Sequence, residues 1–221
     1  MSKQLDYRAL VEDRKRCTLC ADLVNPSAYK AGCFGSAHVG PWSLWQGNID
    51  AAVVVVGQDW GDTRYFDANR GREATGNPTN NTLRKLLASV GVAVEDPSNL
   101  GQRQVAFFTN AILCLKTGGL QGQVRPEWFT NCSVFLRRQV ETIAPKVVVT
   151  LGEQAFRALG KAFQLKLGPF KAAVESQSGI LLPIGSQLVP VYHCGARILN
   201  THRPLAKQLM DWQRVGRALE C

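Results

Sequence analysis

The sequence predicts a three-layer α/β/α sandwich around a four-stranded, mainly parallel sheet, formed by one domain spanning residues 1–221. Three observations carry the prediction. Val53, Val54, Val55 and Val56 stand in a row, which does not suit a strand with one wet face. The run suits a strand buried on both sides, as in a parallel sheet covered by helices. Three more short apolar runs, at 105–109, 147–151 and 188–192, are separated by helical patterns, and such alternation argues for parallel strands. A chain of 221 residues with 45% hydrophobic and 19% charged content is also large enough to bury a full core.

In chain order, residues 5–16 read as a helix that leads into Cys17-Thr18-Leu19-Cys20. Residues 25–47 are a loop rich in Gly, Ser and Pro that carries Cys33, His38, Trp42 and Trp45; a loop this long is usually functional or packed over a site. The first strand, at 51–56, stops at Gly57, and polar Gln58 and Asp59 follow at once. Residues 61–77 read as polar and irregular. Residues 78–90 read as a helix, with Leu83, Leu86, Leu87 and Val90 at helical spacing and Gly91 behind them. The second strand, at 105–109, ends at Asn110. Pro126 suits the first turn of a long helix over 126–143. The third strand ends at Gly152 and precedes a helix over 153–159. The fourth contains Pro190, which suggests an edge or a bulge, and it ends at His193 before a last helix over 204–219.

The formal net charge of +9 favours anionic partners, nucleic acid first. Residues 1–16 lack the apolar core of a signal peptide, and no apolar stretch approaches the roughly 20 residues that span a bilayer. A cytoplasmic, monomeric protein without membrane contact is expected. Seven cysteines in such a chain point to metal binding or a few free thiols rather than to a disulfide framework. Cys17 and Cys20 form one close pair, and 17 residues separate Cys114 from Cys132. Four thiolates from three elements serve either a tetrahedral zinc or an iron–sulfur cluster. Cys33, Cys194 and Cys221 are left over as free thiols.

Ligands of open α/β sheets bind beyond the carboxyl ends of the strands. Asp59, Asn110, Gly152 and His193 are placed there, and three of these four can recognise or hydrolyse a substrate. Taken together, these residues and the cysteine spacing resemble the uracil-DNA glycosylase superfamily, family 4 in particular. Thr109-Asn110-Ala111-Ile112-Leu113-Cys114 resembles that family's strand-end Asn followed by a cluster cysteine. Pro145-Lys146-Val147-Val148-Val149-Thr150-Leu151-Gly152 resembles its third strand. The resemblance implies a [4Fe-4S] cluster on Cys17, Cys20, Cys114 and Cys132, with a cluster-binding segment over about residues 1–35. DNA is the implied partner.

The turn Gly57-Gln58-Asp59-Trp60-Gly61 departs from the Gly-Glu-x-Pro-Gly turn of family 4 and resembles the Gly-Gln-Asp-Pro-Tyr-His turn of family 1. Asp59 then takes the role of the water-activating carboxylate, Gln58 helps bind the base through its backbone, and Gly61 stands where a Tyr crowds the C5 side. Thr79 stands where family 4 stacks a Phe on the base, with Asn80 beside it; Trp60, Tyr65 and Phe66 are the aromatics able to replace that wall. His193-Cys194-Gly195 stands for the His-Pro-Ser motif, so His193 donates to the base O2, and Arg197 lines the DNA groove. The implied function is a monofunctional DNA glycosylase. It would flip out and release uracil or a bulkier modified pyrimidine, such as a C5-modified cytosine of phage DNA, in base-excision repair or antiviral defence. The alternative is a non-catalytic nucleic-acid-binding module with a four-cysteine metal site, which leaves the three strand-end groups unexplained.

Overall fold

A computed structural model describes residues 2–32, 47–71, 73–74, 76–95, 106–119, 122–176 and 178–220. Cys33, His38, Trp42 and Trp45 of the 25–47 loop, Val105 and Cys221 lie outside them. The elements run α1 (Lys3–Arg16), a 3-10 turn (Tyr29–Gly32), β1 (Val53–Asp59), α2 (Thr63–Ala68), α3 (Pro78–Ala88), β2 (Ala106–Ile112), α4 (Pro126–Ile143), β3 (Val147–Leu151), α5 (Glu153–Ala162), α6 (Phe170–Glu175), β4 (Ile180–Leu181), β5 (Gln187–Val191), α7 (Ala196–Thr201) and α8 (Leu205–Glu220).

Among the described residues the sheet has five strands in the order β2-β1-β3-β5-β4, where four were expected. The first four are parallel, and β4 is an antiparallel pair of residues on β5. Two residues, one of them the exposed Leu181, leave no apolar run to read in the sequence. Val53 to Val56 are all buried, as a central strand flanked by β2 and β3 requires. Their alternation feeds two cores. Val54 and Val56 pack with Phe107, Val148 and Leu188 beneath α1, α4 and α5. Val53 and Val55 pack with Phe108, Val149 and Val191 beneath α3 and α8.

Asn110 is not the end of its strand, because β2 continues to Ile112 with every residue buried. The polar side chain fits mid-strand because its register partner is Gly57. A Cβ at Gly57 would lie 2.1 Å from Asn110 Oδ1, so glycine there is a space requirement. The 61–77 region, expected to be irregular, contains α2, whose N-terminus is capped by Asp62 accepting from the Tyr65 N–H. Pro190 lies in β5 beyond the reach of β4. Its carbonyl accepts from the buried Arg214, which also donates to the carbonyls of Ala173 and Ser176 and so closes the open side of the strand.

Candidate active site

Asp59 is the last residue of β1, and its carboxylate is held from three sides. The Gly61 N–H donates to Oδ1 at 2.9 Å, and Gln58 Nε2 donates to Oδ2 at 2.8 Å. Lys116 Nζ donates to Oδ2 at 3.3 Å and lies 3.2 Å from Oδ1. Both members of this ion pair are almost wholly buried, with side chains 9% and 5% exposed for Asp59 and Lys116. Gly61 has φ +103°, a backbone that only glycine adopts without strain, and it is buried. Its glycine is therefore explained by the turn that brings its N–H back onto Asp59.

His193 follows β5 on an exposed turn, and its Nδ1 accepts from the Gly195 N–H at 3.0 Å. An accepting Nδ1 places the hydrogen of a neutral imidazole on Nε2, which becomes a donor. The protein around the ring withdraws water and lowers the imidazole pKa, while the nearby charge of Asp59 opposes that shift in part. The neutral form thus dominates near pH 7. Asn110 projects from the same sheet face as Asp59, two register positions away, and over Gly57. Thr79, at the start of α3, locks onto the His193 turn. Its carbonyl accepts from Cys194 Sγ, and a Cβ on Gly195 would stand 3.5 Å from its Oγ1. Asp59, Asn110, Thr79 and His193 therefore lie toward one end of the sheet. Arg197 is exposed at the start of α7, two residues past Gly195.

The profile of the Uracil DNA glycosylase superfamily matches residues 44–214. The chain belongs to that superfamily. It is 25% identical over 224 aligned positions to a type-5 uracil-DNA glycosylase of Pyrobaculum aerophilum, covering 96% of this chain and 92% of the relative. It is 24% identical over 176 positions to a type-4 uracil-DNA glycosylase of Saccharolobus solfataricus (79% and 74%). A type-4 uracil-DNA glycosylase of Thermotoga maritima is 23% identical over 203 positions (91% and 88%). Membership makes the chain a DNA glycosylase.

In this glycosylase Gln58 stands at a border. Its amide steadies Asp59, and it also lines a cavity of about 450 Å³ with Phe129, Gln154, Arg157 and Lys161 on the α4–α5 side of the sheet. A polar network invisible in the sequence stands on the other side. The Tyr65 hydroxyl donates to Glu73 at 2.6 Å, and Asn77, the cap of α3, donates to both. Burial raises the Glu73 pKa and raises that of Tyr65 to about 12, and Asn80 lies beside the same carboxyl. Of the candidate replacement aromatics, Phe66 is fully buried against Tyr29, and the Tyr65 hydroxyl is fixed on Glu73. Lys116 was missed as well. No periodicity marks it, and its only sequence signal is its place two residues after Cys114.

The four predicted ligand cysteines come together around the end of α1, the segment after β2, and α4. All four are free thiols. Burial, with a smaller contribution from the other cysteines close by, pushes Cys114 up to about 12 and Cys132 to about 11. The buried Arg14 guanidinium favours the Cys114 thiolate, and Asn131 donates to Cys20 Sγ at 3.3 Å. Asn25 fixes the Cys17 turn by donating to the carbonyls of Arg14, Lys15 and Cys17. Among the described residues no group of three or more His, Cys, Asp or Glu is arranged to hold a single metal ion. The donor set, four thiols with a neighbouring cation and an amide donor, suits a thiolate-held zinc or iron–sulfur centre. No helix among the described residues is long and apolar enough to cross a membrane.

Proposed function

We propose that this chain is a single-domain, monofunctional glycosylase that flips a pyrimidine nucleotide out of DNA and hydrolyses its N-glycosidic bond. Uracil is the first substrate. The observation that carries the reading is a buried carboxylate sharing a strand-end site with a neutral imidazole whose Nε2 bears the hydrogen. As the C1′–N1 bond breaks, its electron pair leaves with the base and positive charge grows on the sugar. Asp59 stabilises that charge and takes the proton of the attacking water. His193 Nε2–H donates to the base O2 where negative charge collects, a preorganised donor of the kind that dominates many rate enhancements. Asn110 offers a donor and an acceptor to the base edge. Arg197 meets the backbone of the bound strand.

Cys17, Cys20, Cys114 and Cys132 would hold a [4Fe-4S] cluster that ties the N-terminal segment, about residues 1–35, to β2 and α4. The cluster supplies binding energy that is part of folding. Gln58, Gly61, Thr79 and Asn80 shape the base pocket. The polar network of Tyr65, Glu73 and Asn77 next to Asn80 supports acceptance of a hydrophilic C5 substituent, the chemistry of modified cytosines in phage DNA, and with it a defensive role beside repair.

The test is single-turnover excision from oligonucleotides carrying uracil or C5-modified pyrimidines. Asp59→Ala and His193→Ala should each lose roughly 100- to 1,000-fold in rate with DNA affinity nearly unchanged. A near wild-type rate in either variant removes that residue's role. Uracil as the sole base released by the wild type removes the C5 proposal, and release of no base at all leaves a binding module.

A further inference from the structure

Lys is almost never fully buried without a partner. Lys116 is 4% exposed, and its partner is the one carboxylate to which the chemistry is assigned. Backbone pairing delivers it there. The Lys116 N–H donates to the Gly61 carbonyl and the Thr63 N–H donates to the Lys116 carbonyl, so the residue is zipped along the turn that follows Asp59. Lys116 Nζ straddles the carboxylate, 3.3 Å from Oδ2 and 3.2 Å from Oδ1, while Gln58 donates to Oδ2 and the Gly61 N–H donates to Oδ1. Donors on both oxygens fix the plane of the group.

We propose that Lys116 is the positioning residue of the active site: its ammonium, set against both oxygens, holds the Asp59 carboxylate in the one rotation from which it meets the attacking water. The proposal rests on the reading of Asp59 as the water-activating group. A carboxylate released from Lys116 turns about its Cβ–Cγ bond, and displacement of a reacting group by about 1 Å can cost about 100-fold in rate. Buried against Asp59, the ammonium is given no part in holding DNA by this reading.

The experiment compares Lys116→Met, Asp59→Asn and the double variant with the wild type. It reads the single-turnover excision rate on uracil-containing DNA, and DNA affinity across a salt series. Lys116→Met is expected to lower the rate by about 30- to 100-fold while the affinity and the slope of log affinity against log salt stay at the wild-type values. Adding Lys116→Met to Asp59→Asn should lower the rate no further, since residues that act as one unit are not additive. A Lys116→Met rate at or above wild type, with Asp59→Asn inactive, overturns the proposal and leaves the Asp59 assignment standing. An active Asp59→Asn overturns the Asp59 assignment itself. A slope reduced by about 1 identifies Lys116 as a phosphate contact and overturns the proposal. If Lys116→Met folds poorly because it strands a buried charge, the double variant, which leaves no lone charge, should recover the wild-type circular dichroism. Failure to recover it overturns the pairing.

Discussion

Replacing Gly57 by Ala tests whether the position of Asn110 matters to the reaction. The new Cβ would lie 2.1 Å from Asn110 Oδ1 and 3.3 Å from its Cγ, both in a buried strand pair. A carbon and an oxygen need about 3.2 Å or more, so one of them must give by about 1 Å. Two responses are open. The Asn110 amide can rotate, which relieves the clash and removes its donor and acceptor from the base edge. Otherwise β1 and β2 part locally, an overpacking response that costs roughly 1–3 kcal/mol. In a domain of this size that lowers the melting temperature by about 2–4 °C per kcal/mol. Either response misplaces the base-reading group by about 1 Å, so single-turnover excision should fall by about 100-fold. Asn110→Ala, measured alongside, should fall by a similar factor, and the Gly57→Ala/Asn110→Ala double variant should fall little further. A Gly57→Ala enzyme within about threefold of wild type would refute the reasoning, because an amide that tolerates such a shift is not reading the base.

Three further expectations follow from the same geometry. The His193 pKa lies below its ordinary value of 6.5, so as pH falls from that value through the folded-state pKa the unfolded chain gains a proton first; stability should decline across that window, and His193→Gln should flatten the decline. Excision should fall over the same window, because a protonated Nδ1 cannot accept from the Gly195 N–H; a rate that holds constant there would contradict the neutral tautomer. Cys114→Ala should give a poorly folding protein without the broad brown absorbance of an iron–sulfur centre, and cluster loading of the wild type should weaken as pH falls, since ligation must release the protons of thiols with raised pKa; stoichiometric zinc in an anaerobic, colourless preparation would refute the cluster. Arg214→Met strands the buried Pro190 carbonyl and should cost roughly 1–3 kcal/mol, seen as a lower melting temperature with the excision rate per folded molecule unchanged.

What the sequence exposed is what burial writes into it. The valines of β1 and β3 are unbroken because both faces of those strands are covered, and α4 runs over the residues expected because Pro126 starts it and Pro145 follows its end. Asp59 and His193 were legible because the apolar runs stop just before them. Asn110 was read as a strand end because a polar residue inside a buried run looks like an interruption; only the register shows that Gly57 makes room for it. The α2 helix was hidden because Thr63, Arg64 and Asp67 break any apolar stripe, and its one signal is the capping Asp62. Lys116 was illegible for a different reason. Its burial depends on a partner 57 positions away, and a pair of that separation leaves no local pattern.

The stretch from Asn110 to Lys116 joins the two halves of the molecule's chemistry. Asn110 lies over Gly57 beside the proposed base site, Cys114 stands among the other thiols, and Lys116 returns to Asp59. Leu115 between the last two exchanges both of its backbone hydrogen bonds with Val24, in the segment that also carries Cys17 and Cys20. That segment is fastened to α4 by the Trp128 indole donating to Asp22 and by Asn131 donating to the Leu19 carbonyl. The stretch from Cys17 to Val24 has few apolar residues of its own to bury, chiefly Leu23, so its hold on Leu115 depends on these polar ties and on whatever the four thiols bind. A centre held by those thiols, as proposed, would stiffen the backbone two residues from the lysine against Asp59, and would bear on the reaction through position.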